Sequence, residues 1–167
     1  MARSDINIKE TGGRNSVPTD RWVVASGQTL KIKAGEPAKQ NATSDENVIL
    51  LVDADLTIAT DQPMTGVAAT DSTDTVAASG YSDQYVPFAD IKWEIKAKSS
   101  TAVDSQSEID ALIGELTLID LTSSVFTIDT TGTAATAAFL IVGGDPNRST
   151  VHFRIRPDAC SYGRAAV

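Results

Sequence analysis

The chain has 167 residues, a formal net charge of −8 and a single cysteine. This length fits one domain, and a domain of about this size buries roughly 70% of its unfolded surface, so its core needs no disulfide. The acidic balance disfavours nucleic acid and anionic membranes as partners, because both are bound by clusters of Lys and Arg. The lone thiol, Cys160, can form neither an internal disulfide nor a cysteine-rich zinc site, and we interpret it as a buried or idle thiol.

Neither a secretion signal nor a membrane span is indicated by the hydrophobic pattern. The first residues, from Met1 to Asn7, lack the continuous apolar run of a signal peptide. An uncharged apolar stretch long enough to cross a bilayer is also absent from the sequence. We therefore expect the protein to be made and kept in solution.

Residues 1–21 show no sustained periodicity, and we expect them to form an extended N-terminal arm. Gly12, Gly13 and Pro18 interrupt any regular element. The arm is expected to be disordered alone and to order on a partner, where Ile6-Asn7-Ile8 would pair with an exposed sheet edge. The candidate contact residues are Arg3, Ile6, Ile8, Lys9 and Arg14.

From Trp22 onward, short apolar or alternating runs separated by turn residues predict a β-rich domain over residues 22–167. The run 48–52 is typical of a buried strand, and 64–69 predicts a strand with a glycine bulge or close backbone approach at Gly66. The clearest half-buried strand is 91–97, with Lys92, Glu94 and Lys96 on its solvent face. Further strands are predicted at 22–25, 30–33, 56–58, 85–88, 115–119, 125–128, 139–142 and 151–156, and loops at 41–47, 71–79 and 143–146.

One short helix is predicted over residues 105–113. Ser105 and Glu108 form a capping-box pattern, apolar residues follow on one stripe, and Gly114 stands where a helix commonly ends. About ten short strands with one helix predict a mainly β protein, a compact β-barrel or β-tulip-like domain. A division into two lobes is possible near residues 99–104.

The sequence offers no recognisable catalytic apparatus. His152, the only histidine, is predicted to face outward from the last strand, and no nucleophile signature accompanies it, so we interpret it as a surface residue. Neither a phosphate-binding loop nor a dinucleotide fingerprint is present. The acid pairs Asp53/Asp55 and Asp71/Asp74 have the chemistry for a hard cation such as calcium, but not the spacing of a known loop. We expect no cofactor, no metal and no enzymatic activity.

Three segments occur in an order that resembles the head decoration proteins, or cement proteins, of tailed bacteriophages. They are Gly35-Glu36-Pro37, Gly66-Val67-Ala68 and Tyr85-Val86-Pro87-Phe88. The helix at 105–113 and the turn at 141–146 are also similar to parts of such proteins. The resemblance implies a β-tulip-like domain with an N-terminal arm. It further implies a homotrimer on the outside of an icosahedral virion, bound to the major capsid protein and bridging neighbouring capsomers.

Two other classes of function stay open. One is another phage structural component, of a tail or a fibre. The other is a β-barrel enzyme such as a trimeric nucleotide hydrolase, although the Gly-rich Asp/Tyr motif of those enzymes is absent from this chain. The chain is also longer than the smallest decoration proteins, and the extra residues could form a second lobe.

Overall fold

The computed structural model describes residues 6–51, 62–123, 125–131 and 135–160, with residues 44–46 described by their backbone alone. Within these ranges the protein is mainly β, as predicted. The strands are β1 (Asn7–Glu10), β2 (Thr19–Val24), β3 (Pro37–Asn41), β4 (Ser44–Leu50), β5 (Met64–Ala68), β6 (Gly80–Tyr85), β7 (Lys92–Lys96), β8 (Leu116–Thr117), β9 (Ile119–Thr122), β10 (Val125–Ile128), β11 (Phe139–Asp145) and β12 (Thr150–Ile155). The α-helix α1 spans Gln106–Leu112.

The first half of the chain closes into a five-stranded barrel with the order β2-β4-β3-β5-β6. Its pairs are antiparallel, except that β2 runs parallel to β4 where Val23 meets Asn47. Gly66 confirms the expected close approach, because a Cβ there would overlap the carbonyl oxygen of Tyr85 on β6. The pairing of β3 with β5 is irregular at the same point, as the predicted bulge requires.

The second half forms an antiparallel five-stranded sheet, β1-β7-β12-β11-β8, beside a two-stranded hairpin of β9 and β10. Its inward face carries the largest buried side chains, and Phe139 and Phe153 meet edge to face at 5.4 Å between ring centroids. The helix α1 packs against β11 through the buried Ile109. Ser105 and Glu108 form the predicted capping box, and Gly114 follows the helix with a φ of 95°.

The barrel and the sheet share one hydrophobic core. The expected division near residues 99–104 is not where the architecture changes: the chain leaves the barrel after β6 and enters the sheet at β7. The segment that was expected to divide two lobes instead contains a single 3-10 turn, Ser100–Ala102, between β7 and α1.

The N-terminal segment is packed, contrary to the prediction of an arm without packed elements. β1 pairs with β7 as an edge strand, Ile6 is 3% exposed, and the Ile6 N–H donates to Gly35 O at 2.9 Å. Val17 is also buried, and the expected boundary at residues 21 and 22 falls inside β2. The alternation at Ile6-Asn7-Ile8 does mark a strand, but its partner is an edge of its own domain.

Four local predictions were wrong. Residues 41–47, predicted as a loop, are the end of β3, a two-residue turn and the start of β4. Of residues 30–33 only Ile32 is buried, and the segment joins no ladder, while residues 85–88 begin where β6 ends. Gly143 and Gly144, predicted as a turn, continue β11 through a bulge opposite His152. The predicted strand at 56–58 lies outside the described residues.

Candidate functional site

Two loops, residues 25–36 and 69–79, close the end of the barrel where β2 and β4 finish and β6 begins. We call them the barrel-end loops. They are joined through their backbones, since the Ser72 N–H donates to Ile32 O at 2.8 Å and the Gly27 N–H donates to an oxygen of the facing loop. Irregular segments that cross-link in this way present a defined surface.

A buried ion pair joins the same two loops. The Asp74 side chain has no exposed surface and accepts from the ammonium of Lys31, and Ser72 Oγ donates to Asp74 Oδ1 at 2.7 Å. Burial alone raises the pKa of Asp74, but the hydrogen bonds from Lys31 and Ser72 outweigh it and hold the pKa below its ordinary value of 3.8. Gly80 allows this arrangement, because a Cβ there would overlap the Asp74 backbone.

Large apolar side chains are exposed at this end of the barrel. Val76, in the second loop, is 85% exposed, and Tyr81, at the start of β6, is 53% exposed. Val23 on β2 is the cross-strand partner of Tyr81, and Leu30 projects from the first loop. Among the described residues these are four of the five exposed large hydrophobic side chains, the fifth being Ile113.

The side chain of Arg21 lies over the ring of Tyr81. The guanidinium of Arg21 lies 5.4 Å from the Tyr81 ring centroid and donates to Asp83 at 2.7 and 3.1 Å through two of its nitrogens. Tyr and Arg are the residue types most enriched where protein interfaces gain their affinity. We call Val23, Leu30, Val76 and Tyr81 the barrel-end patch.

A second cluster lies on the outer face of the sheet, around Glu94. The Glu94 side chain is 6% exposed and contacts three basic side chains: Lys9 Nζ at 3.3 Å, Arg148 Nη1 at 3.0 Å and His152 Nε2 at 3.2 Å. Thr150 Oγ1 also lies 3.4 Å from a Glu94 oxygen. Glu94 was expected in solvent and is buried instead, because neighbouring strands and the Arg148 turn cover it.

The cluster favours the ionised carboxylate. Burial raises the pKa of Glu94, but hydrogen bonds from His152 and Lys9 and the charge of Arg148 outweigh it, so the pKa lies below its ordinary value of 4.5. A paired imidazole and carboxylate could serve acid–base chemistry. The hydroxyl that the structure places in the cluster, Thr150, however, is directed at Glu94 and not at the imidazole. The cluster therefore has the arrangement of a structural ion-pair network.

The sequence-predicted contact residues of the arm do not share an exposed surface. Ile6 is buried, Ile8 is half-buried against the core, and Lys9 forms an ion pair with Glu94. Arg14 pairs with Asp90 at 2.7 Å, and its guanidinium also lies 4.4 Å from a phenylalanine ring centroid. Arg3 lies outside the described residues.

The acid pairs that the sequence offers for a cation have basic partners where the structure describes them. Asp74 is occupied by Lys31, and Asp71 accepts from Lys33 Nζ at 3.1 Å. Asp53 and Asp55 lie outside the described residues. In the described part of the chain, three or more His, Cys, Asp or Glu side chains never gather in a metal-binding arrangement.

Sequence reasoning missed the barrel-end patch and the burial of Glu94. Val76 stands alone among Ser, Thr, Asp and Ala in a loop, and a solitary large apolar residue in such a segment is a signal that could have found it. Glu94 is flanked by lysines two residues away on either side, a pattern that we took for a solvated strand face. Its partners Lys9, Arg148 and His152 are distant in sequence, so only the pairing of strands reveals them.

No family model matches the chain, and no curated protein is significantly similar to it. Among the described residues, helices are too short and too polar for any of them to cross a membrane.

Proposed function

We propose that this protein is a virion structural protein that binds the outside of an icosahedral phage capsid and stabilises it by bridging neighbouring capsomers. In this proposal a homotrimer contacts the major capsid protein and performs no catalytic step. The observation that carries the proposal is the barrel-end patch. Four of the five exposed large apolar side chains of the described residues lie at this one end of the barrel, and grouped apolar exposure favours a protein-binding surface.

The patch is suited to binding because it is preorganised. Binding costs about 0.5–1.5 kcal/mol for each flexible side chain that becomes fixed, and more when a loop must become ordered. The Lys31–Asp74 ion pair and the backbone hydrogen bonds between the barrel-end loops have already fixed the segments that carry Leu30 and Val76. A rigid apolar surface with an adjacent Arg21–Tyr81 pair has the composition of an interface centre.

The phage assignment is supported by the order of turn and strand motifs in the sequence. Two of these motifs have clear structural roles, since Gly35 adopts a φ of 82° at the turn before β3 and Gly66 lies against β6. The binding surface differs from the one expected at first, because Ile6 is in the core and the arm is fastened to the sheet.

Co-sedimentation tests this function. Phage heads assembled without the protein are mixed with purified wild type or with the double variant L30S/V76S, and the pelleted protein is measured. We expect the wild type to saturate the heads and the variant to bind about tenfold more weakly or worse, a loss of about 1.4 kcal/mol.

The matched control is I113S, because Ile113 is as exposed as Leu30 but lies at the end of α1. It should bind like the wild type. If the wild type did not sediment with heads, the proposed function would be wrong, and sedimentation with tails would identify a tail component instead. If L30S/V76S bound like the wild type, the function would survive and the patch would not be its surface.

A further inference from the structure

Basic side chains gather on one part of an acidic protein. The outer face of β1, β7 and β12, with the Arg148 turn beside it, carries five cations against three carboxylates. The cations are Lys9, Lys92, Lys96, Arg148 and Arg154, and the carboxylates are Glu10, Glu94 and Asp145, which caps the Arg148 turn. The adjoining Arg14–Asp90 pair is neutral. We call this surface the basic sheet face.

Acidic side chains gather on another part of the same sheet. Residues 104–115 contain four Asp or Glu residues and no Lys or Arg. Asp110 on α1 and Glu115 just before β8 are both exposed. Asp104 and Glu108 lie at the start of the helix. We call α1 and the start of β8 the acidic helix edge.

The two surfaces lie on opposite sides of the sheet. β1 and β8 are its two edges and β12 is its middle strand, so the cations lie on the half of the sheet from β1 to β12 and the acidic residues lie at the β8 edge. The strand register also shows which face each residue occupies. Glu94 and His152 are partners on the outer face, whereas Ile95 and Val151 are partners on the inner face. Val151 in turn faces Gly144 of β11, the strand against which α1 packs.

We propose that the basic sheet face of one copy binds the acidic helix edge of a second copy, head to tail. A second copy is the partner that this structure supplies with complementary charge. Because the two contacting surfaces differ, the contact is heterologous, and such contacts close into a ring when the rotation between copies permits it. The inference rests on the proposed function in one respect: it names the contact that would hold the proposed oligomer together.

Exposed charges at such a contact attract through solvent, so the contact should depend on salt. The Debye length falls from about 10 Å at 0.1 M salt to about 3 Å at 1 M. Complementary charge also selects against wrong partners, since like charges brought together at an interface cost several kcal/mol. Reversing the charge of either surface should therefore separate the copies, and reversing both should reunite them.

Sedimentation velocity of the purified protein, without particles, tests the contact. At about 0.05 M salt the wild type should exceed the monomer mass of 17.6 kDa, and it should approach that mass at about 1 M salt. K96E/R154E and D110K/E115K should each weaken self-association by more than about tenfold. All four replaced side chains are exposed, and urea midpoints verify that the variants fold.

The combined variant K96E/R154E/D110K/E115K should regain self-association. D110K/E115K is the most informative variant. It lowers the net negative charge of the protein, so it would strengthen association if only general repulsion between acidic copies opposed it. The proposed contact requires the same variant to weaken association. A wild type that is monomeric at low salt would overturn the proposal. So would folded single-face variants that associate normally, or a folded combined variant that stays monomeric. None of these outcomes bears on head binding, so the proposed function is tested separately.

Discussion

Asp74 at the barrel end and Glu94 in the five-stranded sheet are both buried carboxylates, but the two regions depend on them differently. Asp74 fixes two irregular loops, and its partner Lys31 comes from the facing loop. Glu94 lies within a regular ladder, and its three basic contacts come from β1, β12 and the Arg148 turn. In the sheet, backbone hydrogen bonds and an aromatic core hold the strands whether or not Glu94 is charged. At the barrel end, the ion pair holds the shape of the exposed surface itself.

The largest effect should come from the aromatic core of the sheet. Phe153 is fully buried and packs edge to face on Phe139, so Phe153→Ala should lower the free energy of unfolding by about 3–5 kcal/mol. Urea denaturation measures the loss. Leu140→Ala is the control, because Leu140 is only half-buried on the other face of the neighbouring strand. A loss for Phe153→Ala no larger than that of the control would show that the sheet does not depend on this core.

The barrel end should respond to a single added methyl group. Gly80→Ala would drive a Cβ into the backbone of Asp74, which cannot yield as a flexible side chain would, so we expect a loss of about 1–3 kcal/mol. Gly13→Ala is the control for backbone conformation, because Gly13 has a φ of 81° and open space around its Cβ position. It measures the cost of a side chain at a positive φ without a steric overlap. Thermal unfolding of both variants measures the difference. An unchanged Gly80→Ala protein would contradict the close contact between β6 and the second barrel-end loop.

Acid should weaken both regions. The pKa values of Asp74 and Glu94 are lowered in the folded protein, so each contributes stability above its unfolded pKa and loses it as pH falls through the folded value. Glu94→Gln should cost about 1–2 kcal/mol at pH 7 and flatten the decline below an unfolded pKa of 4.5. Glu10→Gln is the control, because Glu10 pairs with Lys92 in solvent. Identical pH profiles for wild type and Glu94→Gln would refute the role given to the buried carboxylate.

His152→Ala should have the smallest effect. The imidazole contributes one hydrogen bond to a carboxylate that keeps Lys9 and Arg148, so the expected loss is about 0.5–1.5 kcal/mol. Urea midpoints measure the stability, and binding to phage heads should not change. A folded variant that lost head binding would give His152 a functional role that the proposed function does not contain.

Local patterns were sufficient for much of the sheet and for the helix. The alternation over residues 91–97 and 151–156 correctly placed Trp93, Phe153 and their neighbours inward, and the capping box correctly placed α1. They were insufficient where a contact joins distant segments. Nothing near Ile8 in sequence shows that β7 offers it an edge, and nothing near Glu94 shows that Lys9 and Arg148 cover it.

The barrel shows a second limit. Residues 41–47 are polar, and a polar hairpin tip has no hydrophobic alternation to distinguish it from a loop. Its turn is instead made by Asn41, whose side-chain oxygen accepts from the Thr43 N–H at 3.1 Å. Residues 30–33 alternate in sequence, but only Ile32 enters the core: Leu30 is exposed, and Lys31 and Lys33 pair with carboxylates of the facing loop. A short alternation therefore establishes neither a buried face nor a ladder.

Amide hydrogen exchange, compared between the free and the head-bound protein, tests the central claim most directly. The barrel-end loops carry the proposed binding surface, so backbone amides in residues 25–36 and 69–79 should exchange more slowly on the head than in solution. Backbone amides of β7 and β12, which are hydrogen-bonded within the sheet, should exchange at similar rates in both. Protection confined to the sheet and α1, with unchanged loops, would contradict binding through the barrel end.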